Sequence, residues 1–332
     1  MNRQFLLAAR PQGWVKESDF KFQETEQPVA GEGEVLIKTE YISIDPSMRG
    51  QMENRGDYVA PLQLGDVMRA SGIGRVVVSN DPGYEKGDLV LGVFGMQDYA
   101  VSSSKVMALR KMDKDIDPLA ALSVFGVTGM TAYFGLLDLG QPKSGDTVVI
   151  SGAAGATGSI AGQIAKIKGA RLIGLAGSDE KCVFLKEAGF DETINYKTDD
   201  MAKKLDDYCP EGIDIYFDNV GGEILDLCLD RLAMNARVVL CGGISRYNLE
   251  GPIPGPVNYF NLIFRRARME GFIVLDYAAR FPEATKQLQA WLASGEIQYR
   301  VHVVKGFTQL PNALIGLFHG DNIGKTVVAC ES

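Results

Sequence analysis

The pattern of apolar and polar positions divides the chain into two regions with different periods. Over the first 120 residues, short apolar or alternating stretches are separated by Gly, Asp or Pro, and no long helical period is present. Such stretches are typical of β-strands. They predict strands at 33–44, 71–79, 87–102 and 105–110, which together would form a compact, partly open β-barrel.

From residue 146 onward, fully apolar stretches alternate with helical patterns. The stretches DTVVIS, ARLIGLAG and IDIYFDNV lead into predicted helices near 158–168, 179–188 and 222–234, and the apolar stretches ARVVLCGG and MEGFIVL follow. Regular alternation of this kind is typical of a parallel sheet covered by helices on both faces. This region is therefore predicted to have an α/β fold with a doubly wound parallel sheet.

Two further segments set the predicted domain boundaries. Residues 117–140 have helical spacing, with Asp117 in the position of an N-cap and Pro118 at the first helical position. A helix at 282–295 closes the second region, and the tail returns to the first with strand, helix and strand character. At 332 residues the chain exceeds the size at which one core keeps growing. We predict one domain from residues 1–120 and 300–332, and another from residues 121–299.

Charge and cysteine content narrow the classes of partner. The net charge is −8 and the isoelectric point is about 5.0, which argues against nucleic acid and anionic membranes. No apolar run approaches the roughly 18–20 residues that span a bilayer, and the amino terminus lacks a signal-peptide pattern. The five cysteines are odd in number and never form C-x-x-C, which suits reduced thiols in the cytoplasm.

The strongest local signal is a glycine-rich turn between a predicted strand and a predicted helix. The strand ends at Ser151, and Ala153, Gly155 and Gly158 occupy the positions of a G-x-G-x-x-G motif. Glycines let the backbone approach a pyrophosphate, and the amino terminus of the helix offers N–H donors to it. The turn therefore predicts dinucleotide binding; the alternative is a tight βα turn that binds no ligand.

The end of the next strand favours NADPH over NADH. A site selective for NADH has an acid at this position, holding the ribose 2′-hydroxyl. Here Ala176 and Gly177 stand in its place, followed by Ser178 and Lys181. A hydroxyl and an ammonium group suit a 2′-phosphate. The alternative is that Lys181 is only a solvated residue of the first helical turn.

A catalytic zinc ion is not expected. Residues 1–120 contain no cysteine and no histidine, and the chain has only His302 and His319. Zinc dehydrogenases with this two-domain plan take their ligands from the first domain, where the comparable stretch here contains Met68, Arg69 and Ala70. None of these three supplies a zinc ligand.

With these features the chain resembles the zinc-free branch of the medium-chain dehydrogenase/reductase superfamily, which holds prostaglandin reductases, plant alkenal double-bond reductases and bacterial curcumin reductase. The resemblance runs almost end to end and implies a Rossmann domain and a GroES-like barrel. It rests on the stretches YISIDPSMRG, GVTGMTAYFGL, GAAGATGS, GSDEK, INYK, YFDNVGG, CGGISRYN, GFIV and NIGKTVV.

The resemblance implies a set of residues that bind NADPH. The turn against the pyrophosphate comprises Gly155, Ala156, Thr157 and Gly158. Lys181 and Tyr196 reach the region of the 2′-phosphate. The nicotinamide half is lined by Asn219, Cys241, Gly242, Gly243, Ile244, Ser245, Arg246, Tyr247, Phe272, Ile273, Val274 and Asn322.

The chemistry that the resemblance implies is reduction of a carbon–carbon double bond conjugated to a carbonyl group. Hydride goes to the β-carbon, and negative charge develops on the carbonyl oxygen. A neutral tyrosine hydroxyl near that oxygen would stabilise the transition state, since an ordinary tyrosine pKa is about 10. We expect Tyr247 in this role. The alternative is that Tyr247 only packs, and Tyr41, Tyr58 and Tyr259 are rival hydroxyls, of which Tyr41 and Tyr259 are expected near the substrate.

Two departures from the family pattern concern substrate preference. Val127-Thr128-Gly129-Met130 replaces a common Met-Pro-Gly-Leu, and Ser47 stands where many relatives have an aromatic residue. The substrate is expected to be a small α,β-unsaturated carbonyl compound. The alternatives are a zinc-free quinone reductase and a catalytically silent NADPH-binding protein. The resemblance also implies a homodimer formed through the nucleotide domains.

Overall fold

The computed structural model describes residues 1–56, 58–105 and 109–331. The chain divides into two compact units, of which one comprises Met1–Gly126 with Val301–Ser332 and the other Val127–Arg300. The boundaries predicted from the sequence stand at 120/121 and 299/300. None of the helices in the described part of the chain is long and apolar enough to cross a membrane.

The strands follow the apolar stretches of the sequence. In chain order they are β1 (Asn2–Leu7), β2 (Phe20–Thr25), β3 (Val35–Ile44), β4 (Ser71–Ser79), β5 (Leu89–Val93), β6 (Tyr99–Ser102), β7 (Arg110–Lys111), β8 (Thr147–Ile150), β9 (Arg171–Ala176), β10 (Glu192–Asn195), β11 (Ile213–Asp218), β12 (Leu232–Leu240), β13 (Arg268–Gly271), β14 (Val301–Lys305) and β15 (Lys325–Ala329). Part of the predicted strand 105–110 lies outside the described residues.

The helices begin at α1 (Met48–Gln51) and continue with α2 (Pro118–Ser123), α3 (Val127–Phe134), α4 (Ala156–Ile167), α5 (Asp179–Glu187), α6 (Met201–Tyr208), α7 (Gly222–Leu229), α8 (Asn261–Phe264), α9 (Phe281–Ala293) and α10 (Leu310–His319). A π-helical segment, Gly135–Gly140, continues α3. Short 3-10 turns lie at Glu17–Asp19, Ile244–Arg246, Asn258–Phe260, Val274–Arg280 and Phe307–Gln309. The Asp117 side chain accepts a hydrogen bond from the Leu119 N–H at 2.9 Å, which confirms the predicted N-cap of α2.

The first unit contains the predicted barrel. Its larger sheet has the order β14-β15-β3-β4-β5-β7, with β6 also paired to β3, and β1 pairs with β2 in a separate two-stranded sheet. The carboxyl-terminal strand β15 runs antiparallel to β3, so the tail completes the sheet begun by the amino-terminal residues. Buried side chains from both segments, among them Phe5, Ile42, Phe307 and Leu314, form one core.

The second unit contains a six-stranded sheet in which every pairing is parallel, with the order β10-β9-β8-β11-β12-β13. Counted from β8, this is the strand order 3-2-1-4-5-6 of a Rossmann fold. The central strands are mostly apolar, as is typical of strands that helices cover on both faces. Val149, Ile173, Tyr216 and Val238 are among the buried residues of its core.

One predicted helix and two predicted strands were wrong in extent. The stretch MEGFIVL is a strand only as far as Gly271. The helix predicted near 222–234 ends at Leu229, because Leu232 already pairs with Ile213 in the parallel sheet. The stretch 87–102 forms two strands, β5 and β6, instead of one. Gly95 lies between them with a φ of 78°, a conformation that turns the chain out of a strand.

A buried ion pair holds two strands of the barrel together. Lys325, only 2% exposed, donates from Nζ to the Ile44 carbonyl at 2.7 Å and to the Thr326 carbonyl at 3.1 Å. The same ammonium group lies 2.9 Å from Oδ1 of Asp45. Its three donors are thus satisfied by one carboxylate and two carbonyl groups, as a buried charge requires.

Replacing Lys325 with Met keeps a long side chain but removes the ammonium group that pairs with Asp45 and donates to the two carbonyls. We expect Lys325→Met to lower the free energy of unfolding by about 3 kcal/mol, which is the lower end of the range for removing one partner of a buried ion pair. The lower end applies because the Asp45 side chain is 22% exposed. Urea unfolding measures the loss. The control Lys38→Met breaks an exposed pair with Glu331 and should cost under about 1 kcal/mol; equal losses in the two variants would contradict this account.

Candidate active site

All six strands of the parallel sheet end at one edge, and the order of the strands reverses between β8 and β11. Open α/β sheets bind ligands outside the carboxyl ends of their strands at such a reversal. The structure brings most of the predicted site residues to this edge. They follow β8 (Gly155–Gly158), β9 (Ser178 and Lys181), β10 (Tyr196), β11 (Asn219), β12 (Cys241–Tyr247) and β13 (Phe272–Val274).

The turn after β8 allows no side chain at its narrowest point. Gly152 has a φ of 57°, and its carbonyl accepts the Gly155 N–H at 3.0 Å. A Cβ on Gly158 would lie 2.5 Å from the Gly152 oxygen and 2.8 Å from Cα of Ala153. Gly155 is the N-cap of α4 and, lacking a side chain, leaves the N–H groups of the first turn open to an anion.

At the end of β9, Ser178 also has a structural role. Its hydroxyl oxygen accepts the Lys181 N–H at 3.3 Å and caps α5. The neighbouring acid, Asp179, accepts a hydrogen bond at Oδ1 from the Asn195 amide at 2.7 Å. This bond ties the carboxylate to the end of β10.

Tyr196 covers the position where an acid would stand in a site selective for NADH. A Cβ on Gly177 would lie 2.5 Å from the Tyr196 hydroxyl, so the tyrosine approaches this glycine closely. Although the residue is 38% exposed, burial raises the pKa of Tyr196 above its ordinary value. Its hydroxyl therefore stays protonated at neutral pH and keeps a proton to donate.

The ends of β8, β11 and β12 are joined by hydrogen bonds. The Asn219 side chain donates to the Ser151 carbonyl at 2.7 Å, and the Asn219 N–H donates to Ser151 Oγ at 2.9 Å. The N–H groups of Cys241 and Gly242 donate to the Asp218 carbonyl at 2.9 and 3.0 Å. Burial, with a smaller effect of the Asp218 charge, raises the pKa of Cys241 to about 12, so its thiol is no nucleophile at neutral pH.

The Tyr247 side chain folds back over the glycine pair that ends β12. The 3-10 turn Ile244–Arg246 reverses the chain, and the Tyr247 hydroxyl oxygen accepts the Gly243 N–H at 3.1 Å. A Cβ on Gly242 would lie 3.2 Å from that oxygen. The hydroxyl is thus fixed at the glycine-lined end of a strand.

The remaining predicted site residues have other surroundings. Phe272 packs against the π-helical segment that continues α3, where a Cβ on Gly135 would lie 2.4 Å from its ring. Tyr259 is 50% exposed in the turn Asn258–Phe260. Tyr41 and Asn322 belong to the first unit. Tyr41 lies on β3, and the Asn322 side chain donates to the Gly324 carbonyl at 2.9 Å.

Three residues of this edge were not predicted from the sequence as site residues. Ser151, Tyr216 and Asp218 are all buried, and the two hydroxyl groups donate to the Asp218 carboxylate. The available signal was the polar residue that ends the apolar stretch IDIYFD. Burial, with a smaller contribution from the Asp218 charge, raises the pKa of Tyr216 well above its ordinary value, so that hydroxyl remains a donor.

A Rossmann sheet joined to a barrel that the carboxyl-terminal segment completes defines a two-domain class of dehydrogenases and reductases. A family model described as the N-terminal domain of oxidoreductase matches residues 3–109, and one described as zinc-binding dehydrogenase matches residues 156–290. Among the described residues, no group of three or more His, Cys, Asp or Glu side chains could hold a metal ion.

Several proteins are similar over nearly the whole chain. The NADPH-dependent curcumin reductase of Escherichia coli is 41% identical over 98% of this chain and 96% of its own length. The 2-alkenal reductase (NADP(+)-dependent) of Nicotiana tabacum is 40% identical over 98% and 97%. The crystal structure of CurA in complex with NADPH from Vibrio vulnificus has a TM-score of 0.94 and 42% identity over 99% of both chains. The chain belongs to the zinc-free branch of the medium-chain dehydrogenase/reductase superfamily.

Proposed function

We propose that this protein is an NADPH-dependent reductase of the carbon–carbon double bond in α,β-unsaturated aldehydes and ketones. The observation that carries the proposal is the Tyr247 hydroxyl, held 3.1 Å from the Gly243 N–H at the end of β12. The similar proteins named as curcumin and 2-alkenal reductases support this substrate class.

The residues at the carboxyl edge fit NADPH. An added Cβ on Gly158 would lie 2.5 Å from the Gly152 oxygen, and the first turn of α4 directs N–H groups and a positive dipole end to the same place. At the end of β9, Lys181 and the protonated Tyr196 suit a 2′-phosphate, while Asp179 is bonded to Asn195. NADPH bound there supplies a hydride to the substrate.

We propose that Tyr247 stabilises the negative charge that develops on the substrate carbonyl oxygen. The bond from Gly243 uses a lone pair of the hydroxyl oxygen and not its proton. A hydroxyl that accepts a hydrogen bond becomes a stronger donor, because hydrogen bonds in a chain polarise one another. A donor aimed at a developing oxyanion stabilises the transition state more than the ground state.

A panel of electron acceptors tests the proposed function. NADPH oxidation should be rapid with enals and enones and slower with benzoquinone, and NADH should support little turnover. Faster turnover of benzoquinone than of every enone would indicate a quinone reductase instead. Binding of NADPH without oxidation by any acceptor would indicate a catalytically silent binding protein.

Removing the Tyr247 hydroxyl tests its role. We expect Tyr247→Phe to lower kcat for an enone by at least about tenfold, since loss of one oxyanion donor typically costs about 2.7–4 kcal/mol. The dissociation constant of NADPH should stay near that of the wild type. Tyr259→Phe and Tyr41→Phe remove the hydroxyls of two rival tyrosines and should lower kcat less than Tyr247→Phe does. An unchanged kcat in Tyr247→Phe would leave this residue with a packing role only.

We further propose that the protein is a homodimer paired through the second unit. The strand β13 lies at the edge of the parallel sheet, and edge strands offer unpaired backbone groups to another chain. Exposed apolar side chains precede it: Val257 at 77%, Phe260 at 54%, Ile263 at 65% and Phe264 at 64%. A patch of this kind marks a surface that binds a partner.

Light scattering after size-exclusion chromatography should give twice the 36.0 kDa of one chain. Phe264→Asp should shift the mass toward that of the monomer, because a charge buried against the partner is costly. Val183→Asp alters an exposed side chain on α5 and is the control. A mass of one chain for the wild type would refute the dimer.

A further inference from the structure

The carboxylate of Asp218 is buried and accepts several hydrogen bonds at one of its oxygens. Asp218 ends β11 and is 1% exposed. Its Oδ1 accepts four hydrogen bonds: from the Ser151 hydroxyl at 2.9 Å, the Tyr216 hydroxyl at 2.7 Å, and the N–H groups of Val220 at 3.0 Å and Gly221 at 2.9 Å. Its Oδ2 is buried and has no hydrogen-bond partner among the described residues.

The turn after β11, which this carboxylate holds, has a backbone conformation that favours glycine. Gly221 and Gly222 have φ values of 72° and 59°, in the left-handed region that favours glycine. Because two successive glycines leave the backbone many alternatives, something must select one conformation. The N–H groups of Val220 and Gly221 are fixed by the Asp218 oxygen, which supplies that selection.

The same turn supports the segment that carries Tyr247. The Asn219 carbonyl accepts the Ile244 N–H at 3.2 Å. The Val220 carbonyl accepts the Ser245 N–H at 3.2 Å and the Ser245 hydroxyl at 2.6 Å.

The main chain of Asp218 makes a second connection to that segment. Its carbonyl accepts the N–H groups of Cys241 and Gly242, the two residues that precede Gly243. Gly243 in turn donates to the Tyr247 hydroxyl. Asp218 thus connects the ends of β8, β11 and β12. Its carbonyl bonds directly to residues 241–242, and its carboxylate supports residues 244–245 through the 219–221 turn.

We propose that Asp218 is a positioning residue for the reaction, which sets the place of the Tyr247 hydroxyl without touching the substrate. This inference rests on the proposed function of Tyr247. A carboxylate suits the task because all four of its partners are donors, and an ionised acceptor makes stronger hydrogen bonds than a neutral one. In Asp218→Asn, a weaker acceptor would face the same donors, and the new NH₂ group would take the place of the unpartnered Oδ2.

Hydrogen exchange tests the positioning without any assay of activity. In Asp218→Asn, the amides of residues 241–245 should exchange at least about tenfold faster than in the wild type, because local opening becomes easier. The matched control is Asp214→Asn, the same change on the same strand, where Oδ2 accepts the Thr147 N–H at 2.9 Å far from this edge. Unchanged exchange of residues 241–245 in Asp218→Asn would overturn the proposal.

Kinetics then test whether the effect acts through Tyr247. Asp218→Asn should lower kcat for an enone by at least about tenfold relative to the wild type. Added to Tyr247→Phe, the same substitution should lower kcat by less than about threefold, since effects of coupled residues do not add. A full loss in both backgrounds would assign Asp218 a general structural role and overturn the proposal. If Asp218→Asn does not fold, Ser151→Ala removes one donor and should give the same pattern with smaller changes.

The two claims fail in different ways. If the wild type reduces no enone, the proposed function is wrong, and hydrogen exchange still decides whether Asp218 holds residues 241–245. If the wild type is active and Tyr247→Phe is impaired while Asp218→Asn is not, only the positioning role is wrong.

Discussion

The carboxyl edge of the parallel sheet depends on one buried carboxylate. A ligand that approaches the strand ends closely needs bare backbone, and bare glycine turns have many conformations. Asp218 holds these turns in one conformation, because one of its oxygens accepts four donors, from the end of β8, from β11 and from the turn after β11. The glycine turns after β11 and β12 can therefore lie open toward a ligand and still have a single shape.

The close approach of backbone and side chains recurs around this edge. Gly158 brings the start of α4 against the turn after β8, and Gly177 lets Tyr196 lie over the end of β9. At each position an added Cβ would come within about 2.5 Å of another atom, which real side chains do not tolerate. Glycine here serves close packing as much as turning, and the two together leave a surface where phosphate groups and a nicotinamide can meet N–H donors.

Much of the fold could be predicted from the sequence, because its signals are local. Fully apolar stretches alternating with helical patterns indicated the parallel sheet, and Asp117 with Pro118 indicated the start of α2. The prediction failed where tertiary contacts override local preference. The residues from Leu232 suit a helix, but pairing with β11 makes them a strand. The glycine-rich turns of the site could be placed as well, since each follows an apolar strand.

The part of the site that could not be predicted is the part made by distant residues. Ser151 and Asp218 are 67 positions apart in the chain, and no spacing rule connects them. The contact between the Tyr247 side chain and Gly243 depends on a 3-10 turn that has no distinct sequence pattern. The proposed role of Tyr247 as a donor came from the resemblance to a family, and the structure adds the hydrogen bond between its hydroxyl oxygen and the Gly243 N–H.

The central claim is that hydride reaches the β-carbon of the substrate while its carbonyl group is retained. NADPH that carries deuterium at both hydrogen positions of C4 of its nicotinamide measures this directly when the product formed from an enone is examined by NMR. We expect deuterium on the β-carbon of a saturated ketone. Deuterium on the former carbonyl carbon of an allylic alcohol, or a saturated ketone without deuterium, would contradict the account.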